Sequence, residues 1–206
     1  MVTDAMDYEV EWVPKNGETS SPWDRAIAMK ELYSDAIDEI PPDMPEPLGK
    51  TINLNVFVDA DHAGNKVTRR SHTGIIIFGN MTPINWFSKR QNTVETSTYS
   101  SEMIALRIAI EITEGIRYKL RMMGVPVEEP ARIYCDNESV VKNTTYPESA
   151  LKKKHCSIAY HKIRESVASN KVIIFHESTN SNLADLFTKV LPFDKRSKLI
   201  RCILHR

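Results

Sequence analysis

Asn53–Gly64, NLNVFVDADHAG, decides how the rest of the chain is read. Leu54, Val56 and Val58 alternate with Asn55 and Phe57, and β-branched and aromatic residues in alternation suit a pleated strand. The run stops on Asp59 and Asp61, with Ala63-Gly64 as a small turn behind them. A buried strand that ends in carboxylates presents them at the C-terminal edge of its sheet, where open α/β sheets place their ligands. A lone Asp after a strand also begins many ordinary turns. A second segment of the same design, ARIYCDNES, brings Asp136 to the end of another apolar run. Two strands that each deliver an Asp to one edge are the start of a metal site.

The 206 residues are enough for one domain with an appendage and a sizeable core. No apolar run approaches the roughly 20 residues a membrane span needs, and no signal-peptide pattern opens the chain. Cys135, Cys156 and Cys202 are scattered, with no C-x-x-C pair, and read as reduced thiols of an intracellular protein; Cys135 falls inside an expected strand, in the core. The net charge of zero hides an asymmetry. Residues 1–50 carry 12 acidic and 4 basic side chains, the remainder 15 and 23. A basic body suits a phosphate-bearing partner.

Residues 1–50 are expected to form an acidic appendage without chemistry of its own. VEWVP (Val10–Pro14) is a possible strand, and Ser21-Pro22 opens a helix expected to reach about Ile40. Pro41, Pro42, Pro45 and Pro47 then make an extended linker. The domain proper is placed at residues 51–192, with 193–206 as a basic C-terminal tail.

Within the domain, GIIIFGN from Gly74 and the stretch Ile84–Ser88 supply two strands after the first, close enough for an antiparallel meander. A long helix follows, capped by Thr96, Ser97 or Thr98 and stopped by Gly124 and Pro126. Leu106, Ala109, Thr113, Ile116 and Leu120 form its core stripe, and Glu102 lies on that stripe one turn earlier. A Glu in the first turn also suits the helix dipole. The strand ending at Asp136 is followed by a short helix around Ser139–Asn143. Next come an insertion with Lys152, Lys153 and Lys154, a helix over Cys156–Ala168, and a last strand, Lys171–Glu177. LADLFTKV closes the series as a short helix, with Asp185 at its third position if Asn182 is the cap. Late strands with helical crossovers favour right-handed parallel connections, so the fold expected is α/β with a mixed sheet.

Asp59, Glu102, Asp136 and Asp185 thus come from two strand ends and two helix starts that can converge at one sheet edge. Crowded carboxylates repel one another unless cations join them. Hard oxygen donors favour Mg²⁺ or Mn²⁺, and two such ions about 3.5–4 Å apart support phosphodiester hydrolysis.

At these residues the chain resembles the ribonuclease H domain of copia-type retrotransposon Pol polyproteins. VDADHAG is similar to the family's first-Asp motif, INWFSKRQNTVETSTYSSEMIAL to its strand-to-helix segment, and IYCDNES to the motif of its next Asp. KKKHCSIAYHKIRE is similar to a basic, His-containing helix, and NLADLFTKVLP to the segment of the last Asp; the match runs from about Val56 to Pro192. The resemblance implies a ribonuclease H-like fold, a five-stranded mixed sheet flanked by helices. It implies an endonuclease that cuts the RNA strand of RNA–DNA hybrids, with Asp59, Glu102, Asp136 and Asp185 holding two Mg²⁺ ions, or Mn²⁺. The reverse transcriptase domain of the same polyprotein is the implied partner, and a cytoplasmic virus-like particle or the nucleus the implied location. Trp86, Lys89, Arg90 and Lys152–Lys154 are candidates for nucleic-acid contact, and exposed lysines are also ordinary solvated side chains. Asp61, His155, His161 and His176 are auxiliary candidates, with a turn carboxylate and structural histidines as the plain alternatives. Ser100 stands where the family usually has an acid two residues before its Glu.

Two rivals remain open on sequence. An integrase-like core uses two Asp and a later Glu, whereas here Glu102 lies between Asp59 and Asp136 and an Asp closes the set. A catalytically silent remnant that binds nucleic acid or a polymerase is the other.

Overall fold

The structure is a computed structural model, and it describes residues 20–151 and 153–204. The possible VEWVP strand and Lys152 lie outside the described residues.

The elements in chain order are α1 (Pro22–Leu32), β1 (Leu54–Asp61), β2 (His72–Gly79), β3 (Thr82–Arg90), α2 (Thr98–Met122), β4 (Ala131–Cys135), α3 (Glu138–Thr145), α4 (Ser157–Ala168), β5 (Val172–His176) and α5 (Phe193–Leu204). Two 3₁₀ turns, Lys154–Cys156 and Leu183–Phe187, sit before α4 and after β5. The sheet order is β3-β2-β1-β4-β5. β1 pairs antiparallel with β2 and parallel with β4, and β5 extends the parallel side. β1 is therefore central and covered on both faces, which is why its sequence is nearly continuously apolar up to the Asp.

On one face Val56, Val58, Ile75 and Ile77 pack with Leu106, Ala109 and Ile110 of α2 and Ile163 of α4. On the other, Phe57, Ile76, Tyr134 and Phe175 lie under Leu183, Ala184 and Leu199. The Phe57 and Tyr134 rings stack at 4.8 Å, and Tyr134 and Phe175 at 5.5 Å. Ser97 is the cap of α2, its hydroxyl accepting from the Ser100 amide at 3.3 Å. The helix stops before Gly124, whose φ of 73° suits a residue without Cβ.

Two boundaries differ from expectation, the end of α1 and the C-terminal segment, and the acidic segment is seated on the domain. α1 ends at Leu32, not near Ile40, because Tyr33 leaves helical geometry and the chain turns at once. The described part of the acidic segment also packs closely on the domain. Ala26 and Met29 join the core beside α4, Trp23 meets Phe175 edge-on at 5.3 Å, and Asp38 holds Arg117 and Arg121 at 3.0 and 2.7 Å. Residues 193–204, read as a basic tail, form α5; Leu199, Cys202 and Ile203 pack against the second face, and the interspersed Lys and Arg had masked that stripe. No described helix is long and apolar enough to cross a membrane.

Candidate metal centre

The parallel register that ends at Val58–Cys135 makes the next residues, Asp59 and Asp136, neighbours at the C-terminal edge of the sheet. Asp185 arrives there through the turn Leu183–Phe187, and Asn182 docks that turn. The Asn182 side-chain oxygen accepts from the Ala184 amide at 3.0 Å while its Nδ2 donates to the Val58 carbonyl at 2.9 Å. Gly74, opposite Asp59 on β2, makes room for the same turn. A Cβ on Gly74 would stand 2.8 Å from the Ala184 carbonyl oxygen and 2.6 Å from Thr188 Cγ2. Glu102 is the fifth residue of α2, beyond its first turn, so the helix dipole does not account for it. Gln91 pins the start of α2 to the sheet, its Nε2 donating to the Ser101 carbonyl at 2.9 Å and to Thr73 Oγ1 at 3.0 Å.

The four acids converge. One oxygen from each of Asp59, Asp136 and Asp185 lies within 4.8 Å of the others, and Glu102 and Asp136 group in the same way with Cys135 Sγ. Asp59, Glu102 and Asp185 are 1%, 3% and 0% exposed. Burial raises the Asp59 carboxyl to about 6, with Asp136 and Asp185 adding to the rise and Thr188 and Lys189 opposing it. Burial, then Asp59 and Asp136, pushes Glu102 well above the usual carboxylate range, and Asp136 is raised chiefly by burial. Burial, then Glu102, pushes the Cys135 thiol well above its usual range.

The chain supplies its own donor and counter-charges to these acids, from residues outside the expected site. Thr188 donates its hydroxyl to Asp59 Oδ2. Lys189 Nζ stands 2.7 Å from Asp185 Oδ1 and 3.3 Å from Asp59 Oδ2, and Lys195 of α5 donates to Asp185 Oδ2. Burial alone would lower the Lys189 ammonium, yet the two carboxylates outweigh it and raise it. Only Lys189, one helical turn after Asp185, carried a signal legible in the sequence. Asn182, the expected helix cap, caps through Ala184; Asp185 itself faces lysines instead of a capping amide. Glu102 Oε2 has no hydrogen-bond partner although fully buried. An all-oxygen acidic set with an orphaned carboxylate oxygen fits a hard divalent cation.

The auxiliary candidates scatter. Asp61 turns back over Gly64 and lies outside the acid cluster. His161 bonds Tyr33 Oη at 2.7 Å through Nδ1 and clasps α4 to the segment after α1. His176 Nε2 stands 3.2 Å from the Asp136 backbone oxygen, beside the centre but on its backbone. His155 Nε2 lies 3.1 Å from Ser100 Oγ. Lys153 donates to Ser97 Oγ and sits 5.1 Å from the Tyr99 ring centre, at the start of α2 with Lys154. Lys89 and Arg90 are exposed at the end of β3. Trp86 is 66% exposed and pairs with Ile76, so it belongs to the sheet face opposite α2, away from Lys153.

No protein-family model matches the chain. It is 34% identical over 143 residues to the retrovirus-related Pol polyprotein from transposon RE1 of Arabidopsis thaliana, an alignment covering 69% of this chain and 10% of that protein. It is also 34% identical over 145 residues to that of transposon TNT 1-94 of Nicotiana tabacum, covering 69% and 11%. The chain thus spans about a tenth of the length of the curated relatives it matches. Among solved structures, the N-terminal ribonuclease H domain of a Mycobacterium tuberculosis protein superposes with a TM-score of 0.51 at 12% identity, covering 73% of this chain and 98% of that one. Ribonuclease H1 of Halobacterium salinarum gives 0.51 at 15% identity, covering 66% and 94%. LC11 ribonuclease H1, solved with an RNA/DNA hybrid, gives 0.50 at 18%, also covering 66% and 94%. The chain therefore has a ribonuclease H fold and is a homologue of the retrovirus-related Pol polyproteins of copia-type transposons.

Proposed function

We propose that this chain is a metal-dependent endonuclease that hydrolyses the RNA strand of RNA–DNA hybrids, as the ribonuclease H part of a retrotransposon Pol polyprotein. The observation that carries the reading is the convergence of Asp59, Asp136 and Asp185 within 4.8 Å, joined through Asp136 to a buried Glu102 whose Oε2 has no hydrogen-bond partner. These four side chains would hold two divalent ions, Mg²⁺ or Mn²⁺. Bound there, the ions supply water activation and charge stabilisation of the departing 3′-oxygen.

The chain's own part is to place the four acids before any substrate arrives. β1 and β4 fix Asp59 and Asp136 by register, Asn182 fixes the turn of Asp185, and Gln91 fixes the start of the helix bearing Glu102. Lys153 and Lys154 beside the start of α2, with Lys89 and Arg90 across the loop that precedes it, offer cations to the phosphate backbone. Recognition of the hybrid would rest on 2′-hydroxyl and phosphate contacts across a shallow minor groove. The reverse transcriptase domain of the same polyprotein is the expected partner.

The test is cleavage of a labelled RNA–DNA hybrid with Mg²⁺, with Mn²⁺ and with EDTA, beside double-stranded DNA and an Asp59→Asn variant. Metal-dependent cutting of the RNA strand alone, lost in the variant, is expected. A second reading, a silent module that binds without cutting, draws on Lys189, whose ammonium already compensates Asp59 and Asp185. A folded wild-type chain that binds hybrid and cuts it under neither metal decides for that module.

A further inference from the structure

Asp185 has an ammonium group at each oxygen, and the two lysines are held differently. Lys189 reaches the centre from the same turn of chain and contacts carboxylates, at Asp185 Oδ1 and Asp59 Oδ2. Its contact with Asp185 is a close ion pair without the alignment of a hydrogen bond. Lys195 comes from α5, donates to Asp185 Oδ2, and is fixed a second time by the Thr179 carbonyl at 2.7 Å. One ammonium therefore links the last acid to the loop after β5.

Lys195 is the third residue of α5, where the free N–H groups of a helix start disfavour a cation. The site gains the charge that the helix does not want. α5 is itself held down by Leu199, which is 2% exposed on the second face of the sheet. We propose that Lys195 is a positioning residue of the metal centre: it holds Asp185 by Oδ2, leaves Oδ1, where Lys189 now stands, for a divalent cation to take, and makes α5 part of the site. Lys189 is then the exchangeable counter-ion and Lys195 the permanent one. The proposal rests on Asp185 being a metal ligand.

The test is Mn²⁺ binding to the full chain by titration calorimetry, for wild type, Asp185→Asn, Lys195→Met, Lys195→Arg and the Asp185→Asn/Lys195→Met double variant. Lys195→Met is expected to weaken Mn²⁺ binding about tenfold, the usual cost of losing a partner that orients a ligand. Lys195→Arg, which keeps charge and donors, is expected to stay within about threefold of wild type. In the double variant the Lys195 effect vanishes, because the residue acts through Asp185. Mn²⁺ binding that is unchanged or tighter in Lys195→Met overturns the proposal, since removing a mere counter-charge strengthens cation binding. An undiminished Lys195 effect in the Asp185→Asn background overturns it as well. If Lys195→Met does not fold by circular dichroism, Lys195→Gln replaces it, with a weakening of about threefold or more in support and none against. Asp185→Asn with wild-type Mn²⁺ affinity removes the premise itself, a failure distinguishable from the others.

Discussion

The Asn182 side chain donates to the backbone carbonyl of Val58 across 2.9 Å, and this bond brings the last acid of the chain to the first. Val58 immediately precedes Asp59, and Asn182 precedes Asp185 by three residues, so one side chain sets the spacing of two carboxylates 126 positions apart. Asn182 is 0% exposed, and its other atom caps the turn. Asn182→Asp keeps the capping oxygen and loses the donor. It is expected to cost about 1–3 kcal/mol in urea unfolding and to abolish the rise in melting temperature that Mg²⁺ gives. An unchanged Mg²⁺ effect in this variant would show that the turn finds its place without the bond.

Gly74 makes the complementary prediction from the sheet side. Gly74→Ala places a methyl group against backbone at the Ala184 carbonyl and against Thr188 Cγ2, and the turn must move away from Asp59. The expected cost is about 1–3 kcal/mol, typical of overpacking. Metal binding falls further than stability does, because the displaced turn carries Asp185. Thermal unfolding with and without Mn²⁺ measures both; a variant that loses stability yet keeps full Mn²⁺ affinity counts against this role.

Much of this could be read from the residues, for reasons that differ by element. β1 announces itself by alternation followed by Asp59, and α2 by a cap at Ser97, a stripe through Leu106 and Ala109, and a stop at Gly124. Asp59 and Asp136 stand out because each follows a strand, Asp185 because it begins a short turn of helix, and Glu102 because it lies on the core stripe of α2. Lys195 carried no such mark: its partner is ten residues away across a turn and a proline, in a segment whose basic residues concealed Leu199 and Ile203. Gln91 and Asn182 act through backbone carbonyls 10 and 124 residues away, which no spacing rule reveals. The end of α1 carries no mark in the sequence, because the chain leaves helical geometry at Tyr33, well before Pro41 would stop it by chemistry.

The raised carboxyls give a pH dependence with a definite sign. Asp59 moves from 3.8 to about 6 on folding, so the folded chain binds this proton more tightly than the unfolded one. Its contribution to metal-free stability is full below about pH 4 and is lost as pH rises through 6. Asp136 and Glu102, also raised, act in the same direction. Divalent cations favour the deprotonated acids, so the gap between urea midpoints in Mg²⁺ and in EDTA is expected to widen from pH 5 to pH 7.5. A gap that stays constant over that range would mean that these acids do not exchange protons for metal.

Glu102 separates the needs of the metal centre from those of the fold most sharply. Its Oε2 is buried without a partner, and its nearest charges, Asp59 and Asp136, repel it. A fold selected for stability alone has no use for a carboxylate there. Glu102→Gln keeps the shape and removes the charge, so in EDTA at pH 8 it is expected to raise the urea midpoint of the chain. The same variant is expected to bind Mn²⁺ at least about tenfold more weakly and to lose hybrid cleavage. Stabilisation with loss of metal binding is the signature of an acid kept for cations. If Glu102→Gln destabilises the metal-free chain, the acid serves the fold through its ionised or protonated form, and the centre must be reassigned to Asp59, Asp136 and Asp185 alone.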